Sequence, residues 1–152
     1  MLRLTVRKFQ CTGCRFCESV CAAGHAPAFS LGAARLRISQ ETITEPTFAV
    51  NVCRQCTVCL PLAACPTGAL TREARTGVLR LDPARCPAGC RLCAEACHLG
   101  AFHDGGHGLI LCDLCGGDPE CVRVCYTEAL LLSEYQLPAR GPARPAREPS
   151  PR

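Results

Sequence analysis

The sequence predicts an α+β fold of small hairpins and short helices, built as two similar halves, with too little apolar material to hold itself together by packing alone. Three observations carry that expectation. The 152 residues include sixteen cysteines, and these fall into four groups of four: Cys11/14/17/21, Cys53/56/59/65, Cys86/90/93/97 and Cys112/115/121/125. The fourth cysteine of the last three groups opens a repeated string, CPTGAL at Cys65, CHLGAF at Cys97 and CYTEAL at Cys125, which marks one structural unit used several times. The chain has no Trp, two Tyr and five Phe, so its 48% hydrophobic content leans on alanines and on the cysteines themselves.

The cysteine spacing says what replaces the missing core. The first group, CTGCRFCESVC, follows the C-x2-C-x2-C run with a more distant fourth thiol that bacterial ferredoxins use for 4Fe-4S clusters. Disulfides are the usual meaning of so many cysteines in a small secreted protein. The N-terminal MLRLTVRKFQC, however, has neither the apolar run and small-residue cleavage site of a signal peptide nor a twin arginine. A cytoplasmic chain with reduced thiols is therefore expected. Structural zinc, the other rival, pairs two cysteine knuckles around one ion, whereas a tight triplet wraps a cube with separate iron corners. With one cluster per roughly forty residues, cofactor insertion and folding should be one process, and the apoprotein mostly unfolded.

Each repeat unit reads as strand, cluster-binding loop, short helix, turn and strand. Extended apolar segments follow the strings at Gly77-Val78-Leu79-Arg80-Leu81 and at Leu109-Ile110-Leu111. Two such units facing each other make a two-cluster ferredoxin, and four groups imply two modules fused. Between the first two groups, residues 22–52 alternate Leu36, Ile38 and Ile43, then Thr44, Thr47, Phe48 and Val50, which predicts a hairpin packed on the clusters. After Gln136 the sequence LPARGPARPAREPSPR, with five Pro and four Arg, predicts a disordered basic tail over 136–152. The four-cluster domain is accordingly placed at 1–135, with module A drawn from 1–30 and 104–135 and module B from 50–103.

Charge points away from nucleic acid. The formal net charge is +4. Each oxidised cube with its four thiolates carries roughly two negative charges, so four cubes bring the whole to about −4. Arg15, Arg54, Arg91 and Arg123 stand between or beside ligands and read as local compensation for that charge. No hydrophobic run approaches the roughly twenty residues that span a bilayer, so any membrane association is expected to run through partners.

At CTGCRFCESVC, CRQCTVCLPLAACPTGAL, CPAGCRLCAEAC and CDLCGGDPECVRVC the chain resembles the four-cluster ferredoxin-like subunits of multi-subunit oxidoreductases, from about Gln10 to Leu131. Only five residues separate Cys115 from Cys121, and CDLCGGDPEC looks like the compact loop of subunits that serve tungsten aldehyde oxidoreductases and CO dehydrogenase. The resemblance implies pairing of group one with group four and of group two with group three. Cluster one would then take Cys11, Cys14, Cys17 and Cys125, and cluster two Cys112, Cys115, Cys121 and Cys21. Cluster three would take Cys53, Cys56, Cys59 and Cys97, and cluster four Cys86, Cys90, Cys93 and Cys65.

Three departures from the family pattern stand out. Pro61 occupies a place where the family often has the third ligand of group two, and the thiol sits at Cys59 instead. Group three carries an extra residue in Cys86-Pro-Ala-Gly-Cys90, which Gly89 can absorb through its wider backbone freedom. Only Cys65 is followed by proline; Ala22, His98 and Tyr126 stand in the equivalent places. Any unusual cluster is thus expected in the inner pair. His98 is not read as a ligand, since sixteen thiols already balance four cubes. His25, His103 and His107 lie near glycines and, with Asp113 and Asp118, read as loop residues.

All sixteen cysteines read as ligands and none as a nucleophile, and there is no phosphate loop and no acid-base carboxylate pair. The expected role is a non-catalytic electron-transfer subunit with four 4Fe-4S clusters. It would link a catalytic partner, by resemblance a tungsten or molybdenum pterin aldehyde oxidoreductase, to a second redox protein or flavin subunit. A CO dehydrogenase or hydrogenase subunit and a free-standing polyferredoxin are the nearest alternatives. A zinc-bound scaffold is the alternative of a different class.

Overall fold

Four antiparallel strand pairs and four short α-helices organise the described residues, 1–42 and 47–134, of the computed structural model. In chain order they are β1 (Leu2–Val6), α1 (Phe16–His25), β2 (Leu36–Gln40), β3 (Phe48–Val52), α2 (Leu60–Ala64), β4 (Leu70–Arg72), β5 (Leu79–Leu81), α3 (Leu92–Glu95), β6 (Phe102–Asp104), β7 (Leu109–Leu111), α4 (Glu120–Arg123) and β8 (Leu130–Glu134). The Pro- and Arg-rich segment and the positions Ile43 and Thr44 lie outside the described residues. No helix among the described residues is long and apolar enough to cross a membrane.

The repeated strings have one shape. Gly68, Gly100 and Glu128, each three residues after its cysteine, take left-handed backbone angles with φ of 62°, 55° and 55°. Each donates its N–H back to the carbonyl of that cysteine, Cys65, Cys97 or Cys125. The Ala-Leu or Ala-Phe pair that ends the string is then driven inward: Ala69-Leu70, Ala101-Phe102 and Ala129-Leu130 are all buried. The second residue of each pair starts a strand, β4, β6 or β8. The turn thus reverses the chain immediately after a thiol and sinks the next apolar pair into the core.

Strand partners are local except at the ends. β4 pairs with β5 and β6 with β7 across short turns, whereas β1 pairs with β8 from Leu2↔Glu134 to Val6↔Leu130. That closure places group one beside group four, and α1 packs against α4 while α2 packs against α3. β5 lies on β7 and joins the two helix pairs. The expected hairpin in residues 22–52 is present as β2 and β3, with Ile38 opposite Val50 and with Leu36, Ile38, Val50 and Val52 buried beside α1. Pro61 sits in the first turn of α2, where its missing N–H has no intrahelical bond to lose.

Candidate iron-sulfur sites

Several thiols are positioned by a short helix or its ends. Cys17 and Cys21 lie on α1, Cys93 on α3 and Cys121 on α4, while Cys59 and Cys65 cap α2 at its two ends. In every group the residue before the second cysteine is left-handed: Gly13, Gln55, Gly89 and Leu114, with φ of 71°, 55°, 75° and 55°. One backbone bend therefore recurs in all four loops, and the extra residue of the third loop leaves it in place.

The thiols gather across groups. Cys21 of α1 lines a cavity of about 310 Å³ together with Cys112, Cys115 and Cys121. Cys11, Cys14 and Cys17 line another with Cys125. Cys53 is near enough to Cys56, Cys59 and Cys97 for their charge to act on it, and Cys93 is likewise within reach of Cys86, Cys90 and Cys65. Cys86 and Cys90 also border a groove of about 490 Å³ floored by the turn between β6 and β7. Neighbouring thiols thus come from different groups: one with four, two with three.

Burial dominates the chemistry of the innermost thiols. It pushes the Cys17, Cys53 and Cys121 thiols up to about 12 and Cys112 well above the ordinary value, with nearby thiols adding to the effect. Cys65 is moved the other way: the Leu70 N–H donates to its Sγ at 3.4 Å and, with Thr67, holds this thiol below the usual range. The Arg35 N–H donates to Cys21 Sγ at 3.2 Å. Buried thiols such as Cys17, Cys53, Cys112 and Cys121, which hold their protons tightly, would be deprotonated by iron on binding, and inward-facing N–H groups would then meet thiolate charge. The donor sets therefore fit iron-sulfur clusters in kind and in number of ligands.

Several side chains that sequence reading left as loop residues or passed over support these sites. His25 is not in a glycine loop but ends α1, bonded to the Cys21 carbonyl at 2.8 Å and 3.4 Å from Asp113. Asp113 accepts from the Cys115 N–H and pairs with Arg35, so His25, Asp113 and Cys115 bring one ligand atom each within 4.8 Å of one another. His103 lies in β6, half buried, with Nε2 on the Asn51 carbonyl, while His98 and His107 are exposed. Glu18, 2% exposed, accepts from the Ile38 N–H, and Gln55, 1% exposed, bonds to Leu79 and Cys112. Arg72 holds the carbonyls of Cys56 and Gly77. Of the arginines beside ligands, Arg15 and Arg123 are paired with carboxylates, and Arg54 keeps a buried Nε without a hydrogen-bond partner.

No protein-family model matches the chain. It is 33% identical over 121 residues to the polyferredoxin-like subunit of an aliphatic sulfonate oxidoreductase from Pyrococcus furiosus, covering 77% of this chain and 67% of that one. It is 32% identical over 141 residues to the putative electron transport protein YsaA of Escherichia coli, covering 84% and 86%. Against the β subunit of NADH-dependent phenylglyoxylate dehydrogenase from Aromatoleum evansii it is 33% identical over 124 residues, and spans only 28% of that subunit. A chain in the BamBC active-site complex of benzoyl coenzyme A reductase shares the fold, with a TM-score of 0.50 over 95% of this chain and 83% of that one at 19% identity. The repeated cysteine loops, the thin core and these relatives agree, and the chain belongs to the polyferredoxin-like family of iron-sulfur electron-transfer subunits of oxidoreductases.

Proposed function

We propose that this chain is a wire of four 4Fe-4S clusters that conducts single electrons between a catalytic subunit and a second redox carrier or flavin subunit. The observation that supports the reading is that thiols of groups one and four line the same cavities, while Cys53 lies within reach of Cys97 and Cys93 within reach of Cys65. Cys11, Cys14, Cys17 and Cys125 would hold one cluster and Cys112, Cys115, Cys121 and Cys21 the next. Cys53, Cys56, Cys59 and Cys97 would hold the third and Cys86, Cys90, Cys93 and Cys65 the fourth. The packing of α1 on α4 and of α2 on α3 supports two modules on the same division, with the 103/104 boundary falling inside β6.

When bound, the clusters supply the redox chemistry, and the protein's part is ligation, spacing and exclusion of water. Leu4, Val50, Val52, Leu79 and Leu130 share one core with buried thiols, and N–H groups such as those of Leu70 and Arg35 are aimed at sulfur. The compact CDLCGGDPEC loop favours a tungsten or molybdenum pterin aldehyde oxidoreductase as the catalytic partner. Anaerobic purification with iron and sulfide analysis tests the clusters: about sixteen irons and sixteen sulfides per chain are expected. Zinc without iron in a colourless protein would overturn the reading. Mass spectrometry of the subunit that co-purifies tests the partner.

A further inference from the structure

Gln55 lies inside the second cysteine group, just before Cys56, and faces the fourth. It is 1% exposed and takes φ of +55°, a conformation that costs a side-chain-bearing residue energy. Its amide makes two buried bonds to two other parts of the chain: Nε2 donates to the Cys112 carbonyl at 2.9 Å, and Oε1 accepts from the Leu79 N–H at 2.8 Å. Cys112 opens the fourth group and Leu79 begins β5, which packs on β7 just ahead of Cys112. Arg72, on the neighbouring β4, secures the other side of the same loop through the Cys56 carbonyl at 2.6 Å. The Cys53 and Cys112 thiols are close enough across this junction for one to act on the other.

We infer that Gln55 is a positioning residue that fixes the second cysteine group against Cys112, and so sets the separation between the cluster on Cys53, Cys56, Cys59 and Cys97 and the cluster on Cys112, Cys115, Cys121 and Cys21. The inference rests on the ligation proposed above. Electron tunnelling falls steeply with separation, so the junction between the two halves is where a loose fit does most harm. The same left-handed place is glycine in groups one and three, which shows that the bend itself needs no amide. Glutamine accepts the backbone cost there because both ends of its side chain are engaged.

The test compares wild-type holoprotein with Gln55→Gly and Gln55→Glu, all purified anaerobically. Glycine relieves the left-handed strain and removes the clamp. Glutamate keeps the acceptor for Leu79 and sets a carboxylate oxygen against the Cys112 carbonyl. Iron per chain and the spin-spin broadening in the EPR spectrum of the fully reduced protein are read on each. Both variants are expected to keep wild-type iron while the interaction broadening changes. Wild-type iron with a broadening that superimposes on the wild type in both variants overturns the clamp. A wild-type protein short of four clusters sinks the ligation reading instead, so the two failures are distinct. Should neither variant assemble, hydrogen exchange of the Leu79 amide in the wild-type holoprotein decides. That N–H faces Gln55, and exchange at the rate of an open loop amide overturns the inference, whereas protection matching the paired strands supports it.

Discussion

Replacing Glu18 by alanine should speed loss of the visible chromophore by about tenfold to a hundredfold, and replacing it by glutamine should do far less. Glu18 is 2% exposed on α1, one residue beyond Cys17. One of its oxygens accepts from the Ile38 N–H at 2.7 Å and the other pairs with Arg15. Alanine leaves the Ile38 N–H buried without a partner, which costs about 1–3 kcal/mol, and empties the space of the carboxylate. Glutamine keeps the acceptor and loses only the ion pair, whose arginine side chain is 58% exposed and screened by solvent, so little is lost. Unfolding of a cluster protein is irreversible, so the assay is a rate: bleaching in denaturant under anaerobic conditions. A tenfold rate corresponds to about 1.4 kcal/mol if the bond is absent from the transition state. Equal bleaching rates for the two variants would refute the assignment of the Ile38 N–H to Glu18 as the quantity that matters.

Three further outcomes are expected. Gly13 and Gly89 share a left-handed φ, but a Cβ at Gly13 would run into the Phe48 ring whereas the space at Gly89 is open. Gly13→Ala should therefore lose iron on expression, while Gly89→Ala pays only about 1–2 kcal/mol of backbone strain and keeps it; equal iron contents would remove Phe48 from the argument. Burial pushes His103 below its usual value, so the folded state resists the proton that the unfolded state accepts. Stability is then full above about pH 6.5 and falls as pH drops below it, and the bleaching rate of His103→Gln should rise less on acidification than that of the wild type. Finally, Cys21→Ser should alter the same EPR component as Cys121→Ser and not the one altered by Cys17→Ser, although Cys17 is its helix neighbour; a match to Cys17→Ser breaks the cross-group assignment.

What could be read from the sequence was what repeats at fixed intervals. The ligand triplets, the three strings ending in Ala69-Leu70, Ala101-Phe102 and Ala129-Leu130, and the β2–β3 hairpin are local patterns, and the fold uses them as such. The β1–β8 closure is not local: nothing in LRLTV names LLLSE as its partner across the whole domain. Contacts made through a side chain with no period to betray it were equally hidden. Glu18 sits in a helix among ligands and looks like a solvated charge, and His103 next to glycines looks like a loop residue until β6 pairs with β7 and turns it to Asn51. Arg15 and Arg123, read as compensation for cluster charge, each pair with a carboxylate three residues along the chain, which the sequence alone did not single out.

The same limit explains why the loops look less alike in sequence than in shape. All four bend left-handed at the residue before the second cysteine, yet only Gly13 and Gly89 announce it. At the other two positions a residue that disfavours the bend by about 1–2 kcal/mol is held there by burial of its side chain. Leu114 is 0% exposed, and full burial of a leucine is worth about 1.5–3 kcal/mol, enough to offset the strain. Gln55 has no such apolar return and relies on two buried hydrogen bonds of about 1 kcal/mol each, which balance the strain with little to spare. The two loops with glycine are shaped from within, and the two without it are shaped by what they touch. Those two, groups two and four, meet at Cys112, so the junction between the halves is held by tertiary contact alone, and Gln55 and Leu114 are the residues where sequence change would reach it first.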